Sequence, residues 1–351
     1  MPPPADTSAA LEVSRLDGAD PACEAFVRSR PEANLCHLPA YGEYVRRAGR
    51  HEPVYLVARR GAEVRGVLPL AHVRSLIFGN RMVSHAYRNY GGPLAADDQA
   101  ALALFDRAVE EATERGCETI EFRNERPLAM ALTPRTDKVC MVRPLDPDPE
   151  VVWKGLEFRM RNHVRKAEKS GVVAVDGGLE LLDEFYSAYT HRMRELGTPC
   201  YARSVMGAML EVMPEHTRLF VVRMGSEPAG GGITTLFNGR AEIPYAATLT
   251  RFGKFAANNL LYWAVLRHYC RAGARLFDFG RCTPGEGTYQ FKKQWGTTPV
   301  ELHYQYWVRP GHRLSIASPD NPRYRRLVEI WKRLPLPLTR ALGPAISRGL
   351  P

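Results

Sequence analysis

Residues 254–297 read KFAANNLLYWAVLRHYCRAGARLFDFGRCTPGEGTYQFKKQWGT, and the fold follows from this stretch and the part of it that occurs twice. Leu260, Leu261, Trp263, Ala264, Leu266, Tyr269 and Cys270 recur with the period of one buried helical face. Asn258 and Asn259 stand where they can cap that helix, and Gly273 stands where a helix end calls for left-handed backbone. Leu276-Phe277-Asp278-Phe279 alternates as a short strand. A Gly-rich loop over 280–287 follows, then a turn carrying Tyr289, Phe291, Lys292, Lys293 and Trp295. A strand that opens into a polar, Gly-rich loop is a common place for a ligand.

The pattern has an earlier copy. Gly61-Ala62-Glu63-Val64-Arg65-Gly66 matches Gly225-Ser226-Glu227-Pro228-Ala229-Gly230, and each hexapeptide joins two apolar strands. Further on, Arg115-Gly116-Cys117-Glu118-Thr119-Ile120-Glu121-Phe122 matches Ala272-Gly273-Ala274-Arg275-Leu276-Phe277-Asp278-Phe279. Both copies run strand, G-x-E-x-x-G turn, strand, spacer, helix, Gly, strand. Two motifs in the same order at nearly the same offset predict a duplicated α/β unit. Two unrelated hairpins with common turn residues are the plainer alternative. The copies part after the last shared strand, where the first exits through Asn124-Glu125-Arg126-Pro127 and the second enters the Gly-rich loop. The second copy is therefore expected to be the working one.

Elsewhere the pattern predicts a strand over 11–16, helices over 21–29 and 39–47, a hairpin over 54–71, a helix over 97–115 and a strand over 119–123. A chain of 351 residues suggests two domains. The expected limits are a disordered lead-in over 1–9, a first domain over 10–147, a basic linking helix over 148–171, a second domain over 172–310 and a tail over 311–351. No apolar run reaches the roughly 18–20 residues of a spanning helix, and MPPPADTSAA has neither the basic nor the apolar region of a secretory signal. Seven scattered cysteines without a C-x-x-C pair fit reduced thiols, so the expected place is the cytoplasm. The net charge of +10 is concentrated in the tail, where nine Arg and Lys after residue 308 oppose only Asp320 and Glu329.

Gly285-x-Gly287-x-Tyr289-x-Phe291-Lys292-Lys293-x-Trp295-Gly296, placed after a helix and Asp278-Phe279-Gly280, resembles the end of the Fem-type aminoacyl and acyl transferases. Arg159-Met160-Arg161-Asn162-His163-Val164-Arg165-Lys166-Ala167-Glu168-Lys169-Ser170-Gly171-Val172 resembles their second hallmark, a basic helix, in the form found beside exosortase and exopolysaccharide gene clusters. The resemblance implies an α/β fold of two tandem GNAT-like domains, each a mixed sheet flanked by helices. It implies transfer of an acyl or aminoacyl group to an amine of a cell-envelope precursor or of an exopolysaccharide or lipid-linked sugar, with a tRNA-dependent peptidoglycan aminoacyl transferase as the alternative within the enzyme class. It also implies acyl-CoA or aminoacyl-tRNA as co-substrate, with no tightly bound cofactor.

By the same resemblance Lys292 stabilises charge on the acyl carbonyl, the role of an ammonium fixed at a developing oxyanion. Tyr245 and Arg192 fall at positions that contact the acceptor. Tyr289, Phe291, Arg194 and Asn259 are counted with these substrate contacts. From the residues themselves, Arg281 at the strand mouth suits an anion, and Tyr90 beside Gly91-Gly92 suits close substrate approach. Asp278 is the candidate general base. Each has a duller reading: a solvated lysine turn, a core tyrosine, the exposed face of a helix ending at Gly197.

Arg251-Phe252-Gly253-Lys254-Phe255-Ala256 is a degenerate form of the GNAT pyrophosphate loop, which assigns Arg251, Gly253 and Lys254 to the donor. Asp278-Phe279-Gly280 lacks the partners of a kinase motif, and Gly230-Gly231-Gly232 opens into a strand rather than a phosphate-binding helix. The histidines show no metal spacing, so no metal is expected. The basic helix is either a solvated face or a surface for tRNA, a sugar nucleotide or an acidic lipid head. The tail, with Tyr324, Leu327, Val328, Ile330, Trp331 and Leu334 among Arg and Lys, either packs on the body or meets the inner face of the cytoplasmic membrane. A non-catalytic GNAT-like module that binds polysaccharide, lipid or RNA stands as the alternative to an enzyme.

Overall fold

The computed structural model describes residues 9–49, 51–75, 78–314 and 322–349. The lead-in expected to be disordered lies, but for residue 9, outside these residues. So do the side chains of Arg323, Tyr324 and Arg325 from the tail pattern. The first half of the chain forms β1 (Leu11–Arg15), α1 (Pro21–Ser29), α2 (Ala40–Gly49), β2 (Glu52–Arg60), β3 (Glu63–Ser75), β4 (Gly79–Ser84), β5 (Leu94–Ala95), α3 (Asp98–Glu114), β6 (Thr119–Asn124) and β7 (Thr133–Arg135). Then come β8 (Val139–Pro144), α4 (Pro149–Lys154), α5 (Phe158–Lys169), β9 (Val172–Gly177), α6 (Leu182–Leu196), α7 (Arg203–Val212), β10 (Thr217–Met224), β11 (Glu227–Phe237) and β12 (Arg240–Thr248). The chain ends with α8 (Ala257–Arg271), β13 (Leu276–Cys282), α9 (Gly287–Lys293), β14 (Thr298–Glu301), β15 (His303–Val308), α10 (Pro322–Arg333) and α11 (Leu336–Ser347).

Two mixed sheets hold these strands. The first runs β1-β2-β3-β4-β6-β15-β7, with β5 on β3, and the second runs β9-β10-β11-β12-β13-β8-β14. Position by position the two orders match. Each has an antiparallel run followed by one parallel step, β4 to β6 and β12 to β13, and then an antiparallel strand. The matched glycines agree in backbone as well. Gly61 and Gly225 turn with φ of +58° and +60°, and Gly116 and Gly273 end their helices at +65° and +75°. A side chain is disfavoured in that region, which explains why these residues repeat.

The last position but one of each sheet comes from an unexpected part of the chain. One compact unit holds the described residues up to Thr136 together with Leu302–Leu314, and the other begins at Asp137. The strand that edges β6 is thus β15, from far down the chain, whereas β8 crosses over to edge β13. The sheets therefore divide the chain at 136/137 and 301/302, not at the expected 147/148 and 310/311. The basic linking segment is two helices, α4 and α5, rather than one.

Local sequence accounts for the packing. Asp97 caps α3 by accepting the Ala100 N–H at 2.8 Å, and Ala100, Leu104, Ala108 and Ala112 form the stripe it lays on Leu56, Leu68, Ile120 and Phe122. In the second unit α5 and α8 cover the sheet through Met160, Val164, Leu261, Val265 and Leu266 against Phe220, Val222, Ile243 and Phe277. The expected asparagine cap of α8 is not what forms. Ala256, at φ +57°, is the N-cap without a side-chain bond, and Asn258 and Asn259 lie inside the first turn. The lysines also sit on a helix, α9, rather than on a turn, because β13 runs on to Cys282.

Gly230, Gly231 and Gly232 lie in β11 as a strand, where neighbours come too close for a side chain. A Cβ on Gly231 would meet the Phe220 carbonyl at 2.4 Å and Phe185 Cδ2 at 2.9 Å. Gly231→Ala is expected to cost about 1–3 kcal/mol, read as a lower urea midpoint for this unit.

Candidate active site

The parallel ladder between β12 and β13 is short. Arg240, Ala241 and Glu242 pair with Leu276, Phe277 and Asp278, and there it stops, although β12 stays paired with β11 as far as Thr248. Asp278 accounts for the stop. Its carboxylate is almost fully buried; it takes the N–H of Gly280 at 2.6 Å and the Arg240 guanidinium at 2.9 Å. Gly280 adopts φ +81°, and the pairing of β13 with β8 slips between Asp278 and Arg281. This is a β-bulge, which bends the strand and withdraws its groups from the ladder.

Lys292 satisfies two carbonyls near this bulge. Its Nζ donates to the carbonyl of Gly280 at 2.8 Å and to that of Arg281 at 3.0 Å. The side chain is 8% exposed, and burial lowers its pKa below the ordinary lysine value. An ammonium has three N–H donors, so one remains beyond the two spent on carbonyls. The helix that carries Lys292 is anchored by stacked aromatics. Tyr262 lies flat on Phe279 at 5.4 Å and meets Phe291 edge-on at 5.2 Å, with Trp295 fully buried beside them.

Where the strands separate there is a cavity of about 600 Å³. The end of β12 lines it with Ala246, Ala247 and Thr248, and α9 lines it with Thr288, Phe291 and Lys292. Arg192 and Leu196 of α6, Gly253, and Asn258 and Tyr262 of α8 complete the wall. Arg192 is fixed there by Glu195 Oε2 at 2.9 Å and Thr250 Oγ1 at 2.5 Å. Thr248 Oγ1 donates to Asn258 Oδ1 at 3.1 Å.

Of the residues expected at a site, Lys292, Phe291, Arg192 and Gly253 thus line one cavity. Others are engaged elsewhere. Tyr245 is buried edge-on to Tyr201 at 5.9 Å, and Tyr289 packs on the core of this unit. Arg194 donates from Nε to the Leu334 carbonyl at 2.5 Å, so it holds the C-terminal helices. Asn259 points its amide at Met160 Sδ, 3.8 Å away, and it is Asn258 that reaches the cavity. Arg281 is exposed at the end of β13 and contributes only its carbonyl to Lys292. Arg251 pairs with Glu227, and Lys254 lies over the Phe255 ring at 4.9 Å, beside the start of α8 and not on the cavity wall. Tyr90 belongs to the first unit, where it is buried. Asp278, the expected general base, is not among the cavity-lining residues, and its carboxylate binds the Arg240 guanidinium and the Gly280 N–H. Sequence reasoning missed Thr248, Tyr262 and Thr288. The helical period marked the Tyr262 region only as core, and lone threonines carry no spacing signal.

The acetyltransferase (GNAT) domain family matches residues 158–293, which include α5, the splayed strands and Lys292. No curated protein matches the chain in sequence. In fold the whole chain resembles FemX, at 16% identity over 91% of this chain and 100% of that one, with a TM-score of 0.65. It also resembles the tandem GNAT protein from the clavulanic acid biosynthesis pathway, at 16% identity over 87% of this chain and 100% of that one, TM-score 0.53. L-PGS from Bacillus licheniformis is similar as well, at 14% identity over 91% of this chain and 99% of that one, TM-score 0.54. The chain as a whole thus shares the tandem GNAT-like fold of these proteins.

The lowered pKa of Lys292 has a thermodynamic consequence. Between its folded value and the ordinary 10.5 the unfolded chain binds the extra proton, so stability rises with pH in that window. Urea midpoints measured from neutral pH toward 10.5 are expected to rise in the wild type relative to Lys292→Met. Parallel pH curves for the two proteins contradict the assignment.

Proposed function

We propose that the chain is an N-acyltransferase whose reaction takes place where β12 and β13 part. The observation that carries this reading is Lys292, buried at the wall of an open cavity with one donor direction left over. In the reaction an acceptor amine attacks the carbonyl of an acyl thioester or ester. The C–N bond forms, negative charge gathers on the carbonyl oxygen, and the C–S or C–O bond then breaks. The leaving thiol or hydroxyl departs with the proton that the amine gives up. The remaining Nζ donor of Lys292 stabilises the oxyanion. The edge of β12 beyond Glu242, which faces away from β11, suits an extended donor that lies along it.

The donor is acyl-CoA or aminoacyl-tRNA. Acyl-CoA is favoured by the start of α8, a helix N-terminus with Arg251, Gly253 and Lys254 beside it. The acceptor we assign is an amine of a cell-envelope, exopolysaccharide or lipid-linked sugar precursor, on the strength of the resemblance carried by residues 159–172 and 285–296. Arg192, held at the cavity wall by Glu195 and Thr250, is placed to meet an anionic group of that acceptor.

Calorimetric titration with CoA and acetyl-CoA separates the donors. Saturable binding that weakens in Arg251→Ala supports acyl-CoA, and no heat turns the assignment to aminoacyl-tRNA. With the donor in hand, Lys292→Ala is expected to remain folded with a lower urea midpoint, because the Gly280 and Arg281 carbonyls lose their donor, and to lower turnover at least about tenfold. Full activity in that variant removes Lys292 from the chemistry.

A further inference from the structure

The C-terminal helices present an apolar face that their own packing leaves uncovered. On the inner side α10 and α11 are fastened to α6. Arg194 Nε bonds the Leu334 carbonyl, and Arg340 Nε donates to Thr190 Oγ1 at 2.9 Å. Gly343 sits so close to Cys200 that a Cβ there would meet its Sγ at 2.7 Å. Trp331, Thr339, Gly343 and Ser347 are buried on this side. The other side carries Leu327 and Ile330, 58% and 57% exposed, on α10 and Leu338 and Leu342, each 48% exposed, on α11. Ala341 and Ala345 continue the α11 stripe, and no charged residue interrupts it. A helix at a water interface ordinarily turns such leucines inward. Here Trp331 with the small or polar Thr339, Gly343 and Ser347 occupies the inner side, and the leucines face out.

Cations border this face. Arg326 and Arg333 are exposed along α10 and Lys332 is half-buried, while the one acid, Glu329, is bonded to Lys332 at 2.7 Å. We propose that α10 and α11 form a docking surface for an anionic lipid bilayer, with the leucines in the interfacial layer and the cations on the headgroups. Charge decides between occupants. A second copy placed on the same face brings like-charged rims together, whereas anionic headgroups neutralise them. Neither helix is long and apolar enough to cross a membrane, so the helices lie along the surface. This inference is independent of the transfer reaction.

The test is co-sedimentation of the full chain with vesicles of phosphatidylcholine alone and of phosphatidylcholine with phosphatidylglycerol. The chain is expected to partition onto the anionic vesicles and to be released by salt. Leu338→Glu with Leu342→Glu is expected to weaken partitioning at least about tenfold while the melting temperature stays unchanged. Leu327→Gln with Ile330→Gln serves as a second, milder variant on α10. No partitioning of the wild type, or partitioning that neither variant weakens, overturns the proposal. So does a dimer in sedimentation velocity that the same variants dissociate, because the face is then covered by a second copy.

Discussion

The Asp278 carboxylate sets the geometry on which the second unit depends. By taking the Gly280 N–H and the Arg240 guanidinium it supports a bulge in β13 at the point where the parallel ladder ends. The carbonyls of Gly280 and Arg281 then need donors, because buried backbone oxygens without partners are costly. Lys292 supplies both, which fixes the end of α9 over the gap. The position of Lys292 and the existence of the cavity therefore have one cause. A carboxylate that looks catalytic in sequence does its part through the backbone.

The first unit shows what the same ladder becomes without that arrangement. Its parallel step, β4 to β6, also covers three pairs, from Arg81–Thr119 to Val83–Glu121. The space beyond is taken up by the chain itself. Ser84 Oγ accepts the Arg123 N–H at 2.8 Å, the Arg123 guanidinium bonds the carbonyls of His85 and Arg88, and Gly91 N–H bonds the Arg123 carbonyl at 2.7 Å. Tyr90 lies within this closing segment, which accounts for its burial. The duplicated frame thus opens between its parallel strands in one copy, whereas in the other its own loop fills that gap and a cavity of about 600 Å³ lies beyond it, beside His37, Gly91, Gly92 and Asn124. The difference begins at the residue after the shared strand, where Phe122 leads to Arg123 and Phe279 leads to Gly280.

The repeated frame was legible because it rests on local rules. Glycines forced into left-handed backbone and a helical stripe that ends before a short strand leave marks at fixed positions in the sequence. Lys292, Phe291, Arg192 and Gly253 were legible as cavity residues through a resemblance rather than through spacing. Tyr245, Arg194 and Asn259 were misplaced by about one residue's rotation or by a partner from elsewhere. Asn259 faces α5 where Asn258 faces the cavity, and Arg194 answers a carbonyl of the C-terminal segment. Such outcomes depend on which side of a helix meets which neighbour, and the period alone does not fix that. The bulge at Gly280 was illegible because its cause is a side-chain bond two residues back.

The exchange of strands at the ends of the sheets has a further consequence for how the chain folds. Residues up to Thr136 contain the whole first repeat, yet the strand that completes the edge of β6 is β15. Asn124 Nδ2 and the Leu128 N–H both donate to Gln305 of that strand, at 3.1 and 2.6 Å, and Gln305 returns a bond to the Leu128 carbonyl. Three bonds that satisfy one buried glutamine are therefore made across about half of the chain length. Pairing of this kind forms late, since loop closure must be met before the contact repays it. The first unit is consequently incomplete until the second has been traversed, although the repeat reads as two successive modules. Residue similarity marks the unit of duplication, and the path of β8 and β15 marks the unit of folding; in this chain the two do not coincide.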